Sequence, residues 1–179
     1  MNPIKIIEKY YSPKSKVYYL LTEHSKAVTK KALEIAKNSK LKLDLKFIEE
    51  ATMLHDIGIF LTKKPEIDCH GNKPYICHGY LGRKLLEKEG YPKHALVCER
   101  HISLTKEIIM KESFPIPRRD MIPITNEEQI ISFADKFFSK NKEYLTKEKP
   151  LNTIKKELKK YKEDKIKLLN KWIKKFNYL

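Results

Sequence analysis

Two ionisable side chains, His55 and Asp56, interrupt the otherwise apolar stretch Ala51-Thr52-Met53-Leu54-His55-Asp56-Ile57-Gly58, and no other feature limits the fold of this chain so strongly. An imidazole and a carboxylate are costly to bury unless something satisfies them, and the pair suits zinc, iron or manganese. Adjacent helical residues project about 100° apart, so both reach one ion only if other elements complete the shell. The chain must bring distant residues back to this point.

Candidates for that return are His24 upstream and His78, His101 and Asp135 downstream. Successive members lie roughly 20 to 35 residues apart, enough for about one helix and its connection, so one ligand per helix is expected. Apolar helical residues surround them: Val28, Leu33 and Ile35 follow His24, Ile48 and Met53 precede His55, and Ile130, Ile131 and Phe133 precede Asp135. Cys-His-Gly occurs twice, at His70 and at His78. His70 sits among Gly71, Asn72 and Pro74 and reads as loop, whereas His78 opens a segment with Leu81, Leu85 and Leu86 at helical spacing. His94, two turns before His101 on the helix that Pro92 opens, reads as a rim residue.

The ordered set His, His-Asp, Asp resembles the HD superfamily of metal-dependent phosphohydrolases, and residues 55 to 58 match the branch whose doublet reads His-Asp-Ile-Gly. The resemblance covers roughly residues 20 to 140 and implies an all-α HD-domain helical bundle of about six to eight helices. It further implies one ion held by His24, His55, Asp56 and Asp135. In members with two ions the intervening histidines complete a second site, here Asp56, His78 and His101, with Asp56 as the bridge. Two divalent ions of iron, manganese or zinc about 3.5 to 4 Å apart would lower the pKa of a bridging water and clamp phosphoryl oxygens. Asp56, His78 and His101 are therefore the expected catalytic residues. Some members carry a Lys two residues after the Ile of the doublet; here that position is Ile59, so its role is not carried across. Gly90-Tyr91-Pro92 precedes a lone His101 and does not follow a His-His-Glu segment, so it is not the signature of the related cyclic-dinucleotide phosphodiesterases.

Length and composition fit one domain over 1–179, with a core near 20–140. Five glycines are too few for many tight hairpins, and no apolar run reaches the ~20 residues of a membrane span. The periodicity predicts helices near 3–10, 14–38, 45–57, 75–89, 92–102, 104–112, 126–140 and 151–176, with Pro115, Pro117 and Pro123 fencing off a loop. Three cysteines without a Cys-x-x-Cys pair, and no secretory signal, suggest neither a disulfide framework nor a zinc knuckle and point to the cytoplasm.

Charge is unevenly spread. Of the 38 basic residues only four are arginines, and residues 140–179 hold 14 lysines against 5 acids. In that tail Leu151, Ile154, Leu158, Tyr161, Leu168, Leu169, Trp172 and Phe176 recur every three or four residues, predicting a Lys-rich amphipathic helix over about 147–178. Such a helix caps the bundle, tracks a nucleic-acid backbone, or lays the stripe around Trp172 on a partner subunit (a homo-oligomer) or an anionic membrane. For phosphate binding the sequence offers Lys136, next to Asp135, and Arg118 and Arg119 in the proline-rich loop. The expected activity is hydrolysis of a phosphomonoester or phosphodiester bond in a phosphorylated small molecule or nucleotide. The alternative is a non-catalytic HD scaffold that binds nucleic acid or protein through its basic C-terminal helix.

Overall fold

The computed structural model describes residues 1–159 and 163–178. They form an all-α bundle: α1 (Pro3–Ile7), α2 (Lys16–Asn38), α3 (Leu45–Leu54), α4 (His78–Lys88), α5 (Pro92–Arg100), α6 (Lys106–Lys111), α7 (Asn126–Asp135), α8 (Leu151–Lys159) and α9 (Glu163–Lys175). The one sheet among the described residues is a pair of two-residue antiparallel strands, β1 (Lys63–Lys64) and β2 (Cys69–His70), with Lys63 opposite His70.

Local signals set the helix starts. Ser15, Asp44 and Thr125 each accept a hydrogen bond from a backbone N–H of the first turn, at Tyr18, Phe47 and Glu128, which satisfies donors the helix leaves unpaired. Pro92 opens α5, where a missing N–H costs nothing.

The long helix α2 packs against α3 and α7, and α4 lies along α5. One core cluster joins α2, α3 and α7 to the tail through Val28, Ile48, Phe133, Phe137, Trp172 and Phe176. A second, with Ile7, Leu21, Leu54, Ile57 and Leu86, binds α1 and the turn after α3 to α4. Gly58 and Gly79 permit close approach there. A Cβ on Gly58 would lie 2.2 Å from the His78 carbonyl oxygen, and one on Gly79 2.6 Å from that of Cys98.

Several elements differ from expectation. α3 ends at Leu54, so His55 is its C-cap and the doublet stands just past the helix instead of inside it. In place of one helix over 151–176, the chain forms α8 and α9, which pack on each other. The reason is burial: Ile154 and Trp172 enter the same core, which a straight helix spanning both, about 27 Å along its axis, does not allow. Tyr161 lies outside the described residues. Trp172 is only 1 % exposed, so the stripe around it covers the chain's own core and is not free for a partner subunit or a membrane. No described helix is long and apolar enough to cross a membrane. The proline-rich loop is folded down: Ile116 and Met121 are buried, and Leu104 and Met121 exchange backbone hydrogen bonds.

Candidate metal centre

Six side chains from five helices or their ends converge beneath this bundle. His24 comes from the middle of α2, His55 and Asp56 follow α3, His78 is the first residue of α4, His101 caps α5, and Asp135 is the last residue of α7. All but Asp135 are buried. α3, α5 and α7 each direct a C-terminus here, and the partial negative charge of helix C-termini favours a cation.

Asp56 divides the cluster into two ligand groups. Its Oδ2 lies 3.3 Å from Nε2 of His24 and 3.0 Å from Nε2 of His55, and Oδ1 of Asp135 stands 3.1 Å and 3.4 Å from the same two nitrogens. Its Oδ1 faces the other way, 3.2 Å from Nε2 of His78 and 3.5 Å from Nε2 of His101, which are themselves 3.2 Å apart. In each group one donor atom per residue falls within a space that a metal ion fits.

Three of the imidazoles are oriented by one device. Nδ1–H of His55, His78 and His101 donates to the carbonyl oxygen three residues upstream, at Thr52 (2.6 Å), Tyr75 (2.7 Å) and Cys98 (2.7 Å). Thr52 and Cys98 lie in the last turns of α3 and α5, where carbonyls lack the N–H four residues on that a helix interior supplies. A ring that donates from Nδ1 presents Nε2 as the ligand nitrogen. The site is braced further by Ser132, whose hydroxyl donates to the His101 carbonyl at 3.0 Å, and by Tyr11, whose hydroxyl donates to the Ile57 carbonyl at 2.7 Å. His24 is the exception: its Nδ1 is buried without a partner among the described residues.

The donor set fits a divalent transition metal. Nε2 of His55 and both carboxylate oxygens of Asp56 are buried without a directed hydrogen bond among the described residues. Such groups are rare unless a ligand satisfies them. The charges reinforce one another in the metal-free chain. Burial opposes the charged form of His55, but the carboxylates of Asp56 and Asp135 outweigh it and raise its pKa to about 10. Burial likewise opposes ionisation of Asp56, yet Lys140 and His55 hold its pKa well below the carboxylate range. For Asp135 the opposing partners are His24 and His55. His101 shifts the other way, lowered by burial.

Of the residues expected to bind phosphate, Lys136 extends its ammonium over the Trp172 ring, 5.7 Å from the centroid. Arg119 pairs at 2.5 Å with Glu99, a buried carboxylate that Arg83 also holds. Arg118 is exposed. The cation at the cluster is instead Lys140, whose Nζ contacts Asp56 Oδ2 and is itself only 10 % exposed. Sequence reasoning missed it because the helix expected over 126–140 ends at Asp135, which leaves Lys140 in an irregular segment. Tyr75, also unforeseen, stacks on His78 with ring centroids 4.7 Å apart. His70 is exposed and pairs with Asp68, as its loop setting suggests, and His94 lies against Phe47 and Glu50.

A family model described as HD domain matches residues 21–139. Among curated relatives, an uncharacterized protein of Methanocaldococcus jannaschii is 36% identical over 121 residues, 64% of either chain. A tRNA (cytidine(56)-2'-O)-methyltransferase of Thermoplasma volcanium is 28% identical over 123 residues, 68% of this chain and 32% of that enzyme. One of the same name from Picrophilus torridus is 29% identical over 123 residues, 67% of this chain and 32% of its own length. The match thus spans just under two thirds of the first relative and about a third of the other two. No solved structure matches. A cluster of His, His-Asp and Asp at helix ends and a family match over most of the chain converge on one conclusion: this protein belongs to the HD domain family.

Proposed function

We propose that the chain is a metal-dependent phosphohydrolase of the His-Asp-Ile-Gly type that cleaves a phosphate ester of a nucleotide-like substrate with two ions in its centre. The observation that carries this reading is the division of Asp56, whose two oxygens face separate groups of imidazoles. His24, His55, Asp56 and Asp135 would hold one ion, and Asp56, His78 and His101 the other. Bound there, two divalent ions supply a nucleophilic water at neutral pH and hold the phosphoryl oxygens.

The chain's own residues do the rest. The imidazoles of His55, His78 and His101 are fixed by their carbonyl partners, so the cluster needs little reorganisation when substrate arrives. Lys140, tethered at Asp56, supplies a buried ammonium beside the phosphate. In the reaction a water oxygen forms a bond to phosphorus, the ester P–O bond breaks, and the departing oxygen takes a proton from solvent. The products are an alcohol and a phosphate.

Incubation with manganese, iron or zinc and a panel of nucleotides and generic phosphodiesters tests the reading. Metal-dependent ester cleavage, read as the released alcohol, that Asp56→Ala abolishes is expected; a rate that Asp56→Ala leaves unchanged contradicts it. A non-catalytic HD scaffold is the second reading, favoured by the outward lysines Lys167, Lys171 and Lys174 of α9. It predicts nucleic-acid binding that weakens steeply with salt and persists in Asp56→Ala.

A further inference from the structure

A basin of about 910 Å³ opens beside the metal cluster, walled by the start of α2, the β1–β2 turn, Tyr75 and the 139–146 segment. Its volume lies within the range of small-molecule sites and holds a ligand of nucleotide size. It joins the cluster through two side chains, Tyr75, stacked on His78, and Lys140, in contact with Asp56.

The lining is strongly one-signed. Lys16, Lys64, Lys140 and Lys142 face Glu66 alone among acidic groups. Of the four lysines, only Lys140 has an ion-pair partner among the described residues. Lys64 is held over the Tyr75 ring, 5.7 Å from its centroid, so the order outward from the metal ligands is His78, Tyr75, Lys64. One ammonium, Lys140, already serves a phosphate at the cluster. Lys64 stands one aromatic ring further out, where a single phosphate at the metals does not reach it, and Lys16 and Lys142 line the same basin. Tyr19, 58 % exposed, adds an aromatic surface to the same lining.

We propose that the substrate is a small bisphosphorylated metabolite, with the phosphate to be cleaved at the metal cluster beside Lys140 and a second phosphate held above Tyr75 by Lys64 and Lys142. This assignment rests on the phosphohydrolase reading for the first phosphate only; the second site is a binding site and needs no metal. The Tyr19 ring offers a stacking face for a base or other planar group between or beside the phosphates.

Calorimetric titration of the metal-loaded full chain tests this with the non-hydrolysable phosphonate analogues of adenosine 3′,5′-bisphosphate and adenosine 5′-monophosphate, and with a short RNA oligonucleotide. The bisphosphate should bind at least about tenfold tighter than the monophosphate, since each charge-assisted phosphate contact contributes on that scale. The preference should collapse in the double variant Lys64→Gln/Lys142→Gln, whose changes lie at the surface or half-buried and leave the core intact. Equal affinity for the two nucleotides, or a preference that survives the double substitution, overturns the proposal. RNA binding tighter than the bisphosphate also overturns it and reassigns the basin to a strand. The two readings fail separately: metal-dependent hydrolysis without preference sinks only the second-phosphate site, and preference without hydrolysis sinks only the enzyme.

Discussion

Oδ1 of Asp56 lies 3.2 Å from Nε2 of His78, turned away from the histidines that its other oxygen faces. That single carboxylate therefore couples two ligand groups, and removing a residue from one group should leave the other standing. In His78→Ala or His101→Ala, metal per chain is expected to fall from about two towards one. Elemental analysis reads this directly. An unchanged ratio accompanied by weaker substrate binding would move the two histidines from the metal to the substrate.

Gly58 tests how the doublet is joined to α4. A Cβ there would meet backbone atoms of His78 and Gly82 at 2.2 and 2.5 Å, so α4 must shift. Gly58→Ala should cost ~1–3 kcal/mol of stability, the usual range for overpacking. It should also weaken the second ion more than the first, because His78 moves with α4. Unfolding curves and metal titration of the variant check both, and a variant as stable as the parent would contradict the close packing.

His55 makes stability depend on pH in the metal-stripped chain. Its folded pKa, raised to about 10 by Asp56 and Asp135 against the opposing effect of burial, exceeds the ~6.5 of an unfolded histidine. A raised folded pKa stabilises fully below the unfolded value and loses that stabilisation as pH climbs through the folded value. Thermal melts of the chain with chelator should thus fall between pH ~6.5 and about 10. With metal bound, His55 is a neutral ligand and this decline should shrink. Equal slopes in the two states would contradict the linkage.

Lys140 is the cation nearest the bridge, and its loss leaves Asp56 less compensated in a buried setting. Lys140→Ala should destabilise the metal-stripped chain by ~3 kcal/mol, the scale for breaking a buried ion pair. In the loaded enzyme it should raise KM about tenfold for phosphate esters, with partial recovery in Lys140→Arg. Steady-state kinetics that leave KM unmoved would remove Lys140 from the substrate site.

Much of this arrangement was legible in the sequence because ligands stand out against apolar helices. His24, His55, Asp56, His78, His101 and Asp135 are polar exceptions in periodic segments, and the structure brings them together. His78 was separable from His70 by the helix it opens. Lys140 was not legible, because the helix expected over 126–140 ends at Asp135 and the turns that follow carry Lys140 back to Asp56. Adjacency to Asp135 favoured Lys136, but Phe137 and Phe138 bond back to Ala134 and Asp135, and Lys136 is left over Trp172. The tail misled for a related reason. Spacing of three and four residues marks an apolar face but carries no signal for where α8 gives way to α9, and only the shared core around Phe133 shows that they pack together.

The most direct test of the central claim is the transition-metal content of the chain purified without chelator, measured beside Asp56→Ala. About two ions per chain in the parent and fewer than about one in the variant are expected if one carboxylate bridges both sites. A parent that binds no divalent transition metal, even after incubation with manganese, iron and zinc, would contradict the account.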